Sequence, residues 1–292
     1  MRTVMTIGLI SGLLTAGLAA WPQGTAPEKK LIAVGWDMPN AERLRANLDL
    51  MDATPLQGCS VRFAGPGNKP AMWYAFGRDV WDQQAVAQVL EDLKAVQPRQ
   101  LGDRFLLLNA NPGDVDWFDD AGWATIVEHW RTAARLAREG GLKGLMFDPE
   151  AYRDPFRQFD WSAQAQADQH SFAAYCEKAR QRGREVMAAV AAEYPEATVL
   201  ALFLLSVNRE AAERSDPMEA LSERPYGLLP SFIDGWLDAA PPTLTFVDGC
   251  ENAYRFNSHL EYLAAANLIR NKCQRLISPD NRYKYRAQVQ VG

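Results

Sequence analysis

Short apolar runs alternate with longer segments of helical spacing along most of this 292-residue chain. The runs are nearly continuous and rich in aliphatic and β-branched residues, which is typical of strands buried on both faces. We interpret as strands residues 31–36, 59–63, 104–110, 144–147, 198–206, 244–247 and 285–291. The intervening segments predict helices over residues 40–51, 83–96, 121–139, 171–194, 226–237 and 257–277. Such alternation predicts a parallel sheet with right-handed crossovers.

A doubly wound open sheet and a closed barrel both fit this alternation. Long loops follow the strand ends and the first strand lacks a glycine-rich dinucleotide loop, so we predict an α/β fold of the (β/α)8 TIM-barrel type. The seven predicted strands are one fewer than a closed barrel of this type contains. We therefore expect a single (β/α) barrel domain over residues 21–292, incomplete after the seventh strand. An open barrel or an overlooked earlier strand would explain the same count.

The first 20 residues resemble an export signal. Arg2 precedes an apolar run over residues 4–18, and small residues follow at Ala19 and Ala20. This pattern predicts a signal peptide at residues 1–20 and a periplasmic or extracellular protein. The run is short for a bilayer span, so we expect no stable membrane insertion after cleavage, although an uncleaved anchor is the alternative.

Charge and metal-binding residue types narrow the range of partners. The net charge is −5 and basic residues do not cluster, which argues against nucleic acid as a partner. The four cysteines match no zinc or redox spacing and the three histidines are too few for a histidine-rich metal centre. We therefore predict no cofactor and no metal, with an all-oxygen metal site as the alternative.

The strongest chemical signal follows the fourth predicted strand, because active sites of such barrels lie at the carboxyl ends of the strands. Asp148, Glu150 and Tyr152 alternate along an extended segment and should face the same space. Two close carboxylates cannot both ionise freely, and a protonated and an ionised carboxyl are what glycosidic cleavage requires. We predict Glu150 as the general acid and Asp148 as its anionic partner. Alternatively, Asp148 caps the loop and Glu150 pairs with Arg153.

The end of the sixth predicted strand offers Asp248 or Glu251 as the second catalytic carboxylate, although Asp248-Gly249 is also ordinary turn chemistry. Aromatic rings can stack on sugars and polar side chains can hydrogen-bond to them. On this basis the predicted substrate-binding residues are Trp36, Asp37, Trp73, Asn109, Trp117, Tyr152, Asn252 and Tyr254. For any single aromatic residue, packing of a loop onto the barrel is the alternative.

The sequence Lys-Gly-Leu-Met-Phe-Asp-Pro-Glu-Ala-Tyr at residues 143–152 resembles the strand-four signature of barrel glycoside hydrolases. Its Asp-x-Glu ending is similar to the family 18 chitinase type, a resemblance that implies Glu150 as acid and Asp148 as partner. It also resembles α-galactosidase-like barrels, which implies Asp148 as nucleophile and Asp248 as acid.

Together these features predict an exported glycoside hydrolase acting on a polysaccharide or oligosaccharide. Two alternatives remain. One is a metal-dependent barrel lyase or isomerase that holds Mg²⁺ or Ca²⁺ through Asp148, Glu150 and Asp248. The other is a non-catalytic carbohydrate-binding barrel.

Overall fold

The computed structural model describes residues 29–35, 37–63, 74–152 and 157–292. The predicted signal peptide and the predicted binding residues Trp36 and Trp73 lie outside these ranges. The strands are β1 (Ile32–Ala33), β2 (Gly58–Val61), β3 (Tyr74–Phe76), β4 (Asp103–Pro112), β5 (Gly144–Asp148), β6 (Thr198–Ala201), β7 (Thr245–Asp248) and β8 (Val289–Val291). The α-helices are α1 (Ala41–Ala46), α2 (Leu48–Asp52), α3 (Gln83–Lys94), α4 (Asp120–Glu139), α5 (Phe172–Glu193), α6 (Arg209–Glu213), α7 (Pro217–Leu221), α8 (Leu229–Ala239), α9 (His259–Asn267) and α10 (Arg282–Gln288).

The strands form one parallel sheet in the order β1-β2-β4-β5-β6-β7-β8, and β3 pairs with the carboxyl-terminal part of β4. The sheet is curled into a half-barrel, which confirms the predicted α/β, barrel-like fold. Within the described residues, β1 pairs with β2 and β8 pairs with β7, so these two strands are the edges of the sheet. The carboxyl ends of all the strands therefore point toward one end of the half-barrel.

The two faces of the sheet carry different side chains, because successive residues of a strand point to opposite sides. Leu106 and Leu108 of β4 belong to the large hydrophobic core that contains the helices. Phe105 and Leu107 belong to a small separate cluster with Met146 of β5, which lies on the concave side of the sheet. The same alternation carries the next residues of these strands, Asn109 and Asp148, toward the concave side.

The convex face is covered by long helices whose apolar residues recur at helical spacing. In α4, Trp123, Ile126 and Trp130 are fully buried, and Trp130 packs against Phe147 of the sheet with ring centroids 5.3 Å apart. Helices α5 and α8 cross closely at Gly183, which has no Cβ. A Cβ atom at this position would lie only 2.0 Å from the carbonyl oxygen of Phe232. This packing holds the sheet in place, and with it Asn109 and Asp148 at the carboxyl ends of β4 and β5.

Several sequence predictions differ from the structure, and in the part of the chain that is described the predicted strand at residues 31–36 covers only Ile32–Ala33. The strand β3 at Tyr74–Phe76 was not predicted, and at three residues it is too short to show a periodic pattern. The predicted strand at residues 198–206 ends at Ala201, because the following apolar residues form a buried turn leading into a 3-10 turn at Ser206–Asn208. The predicted strand at residues 285–291 begins only at Val289, since Tyr285 lies in α10 with its side chain buried.

Candidate active site

A cavity of about 710 Å³ opens on the concave side of the sheet, at the carboxyl ends of the strands. Its size is within the usual range for small-molecule sites. Its lining residues are Val34, Gly35, Met38, Tyr74, Leu107, Asn109, Asn111, Pro112, Met146, Asp148, Glu150, Tyr152, Leu202, Glu251 and Tyr254. The described lining therefore combines apolar residues on the inner wall with three carboxyl groups and three tyrosines.

Asp148 is the last residue of β5 and only 5% of its surface is exposed. One carboxyl oxygen, Oδ1, accepts a hydrogen bond from the backbone N–H of Glu150 at 3.0 Å, so Asp148 does cap the following turn. The other oxygen, Oδ2, lies 3.0 Å from both Asn109 Nδ2 and the Tyr152 hydroxyl. The capping interaction thus uses one oxygen and leaves the other within the polar network of the cavity.

Asn109 is held in a defined orientation by its neighbour on the same face of β4. Its side-chain oxygen accepts hydrogen bonds from the backbone N–H and the side-chain amide of Asn111, both at 2.7 Å. Because the oxygen is occupied in this way, the amide N–H groups of Asn109 point at Asp148, its partner in the β4–β5 register. Asn109 therefore acts as a fixed donor to the Asp148 carboxyl.

The Tyr152 hydroxyl lies between two carboxyl groups, Asp148 Oδ2 and Glu150 Oε2, and is within hydrogen-bond distance of both. A phenol has a single O–H proton, so it can donate to only one of them. If it donates to Glu150, a favourable contact with Asp148 requires that Asp148 be protonated and donate to the phenolic oxygen. Both contacts are therefore hydrogen bonds only when one of the two carboxyl groups carries a proton.

The electrostatics favour a proton on Asp148. Burial raises the pKa of Asp148 to about 7, with a further contribution from the negative charges of Glu150 and Glu251, while hydrogen bonds from Glu150 N–H and Tyr152 act in the opposite direction. Burial, aided by the charge of Glu150, also raises the pKa of Glu251. Asp148 therefore keeps its proton to a higher pH than a solvent-exposed aspartate does.

The end of β7 places its two acidic residues in different surroundings. Asp248 shares a row across the sheet with Ala201 and Phe147, on the face that packs against the helices. Its carboxylate is fully buried and accepts hydrogen bonds from the backbone N–H and hydroxyl of Ser206 at 3.0 and 2.5 Å.

Cys250, with φ 48°, follows in a left-handed conformation and redirects the chain. The turn that begins at Glu251 then lies at the cavity, so Glu251 is the β7-end carboxylate that joins Asp148 and Glu150 there.

The predicted binding residues are also divided between the cavity and other places. Asn109, Tyr152 and Tyr254 line the cavity. Asp37 is exposed and forms an ion pair with Arg43, and it is not part of the lining. The remaining described positions are Asn252, which is exposed outside the lining, and Trp117, which is buried and stacked on Trp123 with centroids 4.7 Å apart. Trp117 therefore packs the core, as the alternative interpretation expected.

Several lining residues were not predicted from the sequence. Asn111 carried a usable signal, since it lies two residues after Asn109 and so on the same face of β4. The inner-wall residues Leu107 and Met146 carried the same alternating signal. Tyr74 belongs to the short strand β3 and had none.

Two features are absent from the described residues, a metal-binding cluster and a membrane-spanning helix. These residues contain no cluster of three histidine, cysteine, aspartate or glutamate side chains placed to hold a metal ion. None of the helices in the described ranges has the length and apolar character needed to cross a membrane. Comparison of the chain with models of known protein families and with curated proteins gives no significant match.

Proposed function

We propose that this protein is an exported glycoside hydrolase-like enzyme that cleaves a polysaccharide or oligosaccharide by carboxylate acid/base catalysis. The observation that carries the proposal is the hydroxyl-bridged pair of Asp148 and Glu150 in the cavity, in which burial brings the pKa of Asp148 to about 7. Glycosidic cleavage needs one carboxyl that donates a proton and a second that acts as base or nucleophile. The pair together with Glu251 supplies both kinds of group.

In this mechanism Asp148 stores the proton and Glu150 delivers it. Asp148 is nearly inaccessible, whereas Glu150 is half-buried and faces the cavity. The Tyr152 hydroxyl passes its proton to Glu150 and takes the proton of Asp148, and Glu150 delivers the proton it has received to the leaving oxygen. Asp148 ends as a carboxylate, and its negative charge then stabilises the positive charge that develops on the sugar ring.

Glu251 is the second carboxylate of the proposed mechanism. It approaches the cavity from the turn after β7, whereas Asp148 and Glu150 come from β5, so the carboxyl groups flank the cavity from two strand ends. Glycosidases of both stereochemical types require such a second group, either to deprotonate the attacking water or to attack the sugar itself. Asp248 has no role in this mechanism, because its oxygens are bound to Ser206 and Cys250.

A carbohydrate ligand fits the remaining lining. The rings of Tyr74, Tyr152 and Tyr254 offer flat apolar faces with polar edges, and Leu107 and Met146 form an apolar floor. Export to the periplasm or the extracellular space, through the predicted signal at residues 1–20, belongs to the same proposal, because polymeric sugars are encountered there.

The proposal is tested with the full-length exported protein on a broad polysaccharide panel, with released reducing ends as the readout. Wild type and Glu150→Gln are compared with Glu128→Gln, a matched control at an exposed position of α4. We expect release by wild type and control, and a loss of about 10²- to 10⁴-fold in Glu150→Gln at unchanged thermal stability. Undiminished release by folded Glu150→Gln, or no release by wild type from any polysaccharide, would overturn the proposal.

A further inference from the structure

Two exposed tyrosines continue from the cavity onto the outer surface. Tyr254 belongs to the lining of the cavity, yet 78% of its surface is exposed, which places it at the rim. Tyr262 lies further along the chain in α9 and is 52% exposed. Large aromatic side chains exposed to this degree are candidates for binding a ligand, particularly where they adjoin a cavity.

The segment between these two tyrosines is structured. Tyr254 lies in the 3-10 turn Glu251–Arg255, the same turn that brings Glu251 to the cavity. Phe256 follows directly and is half-buried against the main core. The ring of Tyr262 packs edge-on against Phe256, with centroids 5.5 Å apart and an interplanar angle of 83°. The Tyr262 ring is therefore held by a residue that is itself anchored.

The start of α9 is fixed by a capping box between Ser258 and Glu261. Ser258 caps the helix by accepting from the backbone N–H of Glu261, and the Glu261 carboxylate accepts from the backbone N–H of Ser258 in return. This reciprocal capping box satisfies two free N–H groups and sets the direction in which the helix leaves the turn. Both aromatic rings are thus presented on ordered backbone.

The two tyrosines are also close enough to bind one chain molecule. Phe256 lies two positions after Tyr254 in the chain, which limits their Cα separation to about 7 Å, and Tyr262 contacts Phe256 directly. A carbohydrate polymer leaving the cavity past Tyr254 would reach Tyr262 within a few sugar rings. A single monosaccharide or a short oligosaccharide end bound in the cavity would not.

We infer that the ligand is a carbohydrate polymer whose chain runs out of the cavity across Tyr254 and Tyr262, so that the enzyme also binds sugar units beyond those held in the cavity. The inference rests on the proposed function, since it identifies the substrate class of the same cavity. Stacking of sugar rings on exposed tyrosine faces supplies the attraction. Continuity of Tyr262 with the cavity rim, through Phe256 and the turn that carries Glu251, is the reason for assigning this surface to the polymer.

Binding is measured in native gels that contain soluble hydroxyethyl cellulose, glycol chitin, xylan or starch. The Glu150→Gln protein serves as the parent, so that the polymer is not consumed and binding is read independently of turnover. We expect at least one polymer to retard the parent, and the added change Tyr262→Ala to weaken binding roughly 3- to 10-fold. Tyr262→Phe should retain binding because it keeps the ring.

Tyr283→Ala is the matched control, because Tyr283 is 62% exposed on α10 and does not line the cavity. Equal retardation of the parent and the Tyr262→Ala protein, or no retardation of the parent by any of the polymers, would overturn the inference. Concentration-dependent dimerisation that is lost in Tyr262→Ala, without polymer binding, would assign the surface to a second copy instead. Tyr262-dependent retardation without reducing-end release by wild type would retain the binding site and overturn the hydrolase.

Discussion

Replacing Asp148 by asparagine should change the pH dependence of stability in a defined direction. Burial raises the pKa of Asp148 from 3.8 to about 7 in the folded protein. A carboxyl whose pKa is raised by folding stabilises the protein fully only below its unfolded pKa, and this contribution is lost as the pH rises toward the folded value. Wild type therefore loses stability between these pH values, whereas asparagine does not titrate.

The magnitude follows from the two pKa values. Each unit of pKa difference corresponds to about 1.4 kcal/mol, so the whole shift represents about 4 kcal/mol. Between pH 5 and pH 8 the part that changes is about 2.5 kcal/mol of unfolding free energy. The new amide of Asp148→Asn also places an N–H donor near the Asn109 amide, at a cost that is independent of pH. The difference between the two pH values therefore isolates the ionisation of Asp148.

The assay is urea denaturation of wild type and Asp148→Asn at pH 5 and pH 8. We expect the stability of the variant relative to wild type to rise by about 2.5 kcal/mol on going to pH 8. A relative stability that is equal at the two pH values, within about 0.5 kcal/mol, would show that Asp148 ionises normally. The proposed proton store would then be wrong.

Two further substitutions separate the groups of the site. Tyr152→Phe removes the hydroxyl between Asp148 and Glu150, so we expect kcat to fall about 100-fold with KM little changed; an unchanged kcat in steady-state kinetics would exclude the relay. Asp248→Asn places an amide donor against the Ser206 N–H and hydroxyl, so we expect a loss of about 1–3 kcal/mol in urea denaturation with kcat nearly unchanged. Loss of activity at unchanged stability would instead support Asp248 as a catalytic acid.

The sequence was informative where strands are long and buried on both faces. The strands β4 and β5 lie where the continuous apolar runs predicted them, and parallel pairing placed their polar ends together. Residues 285–288 were predicted as the start of a strand, but they belong to helix α10. A buried aromatic residue such as Tyr285 suits either type of element, and tertiary packing decides between them. The short strand β3 depends on pairing with β4, which no local pattern reports.

Within the site, residue spacing predicted that Asp148 and Glu150 lie close together, and the structure joins them through Tyr152. Alternation along β7 could also have shown that Asp248 shares the face of the buried Phe246. The sequence analysis predicted Asp148 as the anionic partner of Glu150, whereas burial, which arises only after folding, raises the pKa of Asp148 and favours a proton there.

The pH dependence of kcat/KM for reducing-end release by wild type tests the central claim most directly, because this ratio reports the ionisation of the free enzyme. The buried Asp148 must be protonated for the relay to Glu150 to begin, and its pKa is about 7. We predict that kcat/KM begins to fall as the pH rises through about 7, and that it then falls about tenfold for each further pH unit. A kcat/KM that stays constant from pH 6 to pH 9 would contradict the assignment of Asp148 as the proton store of a glycosidase.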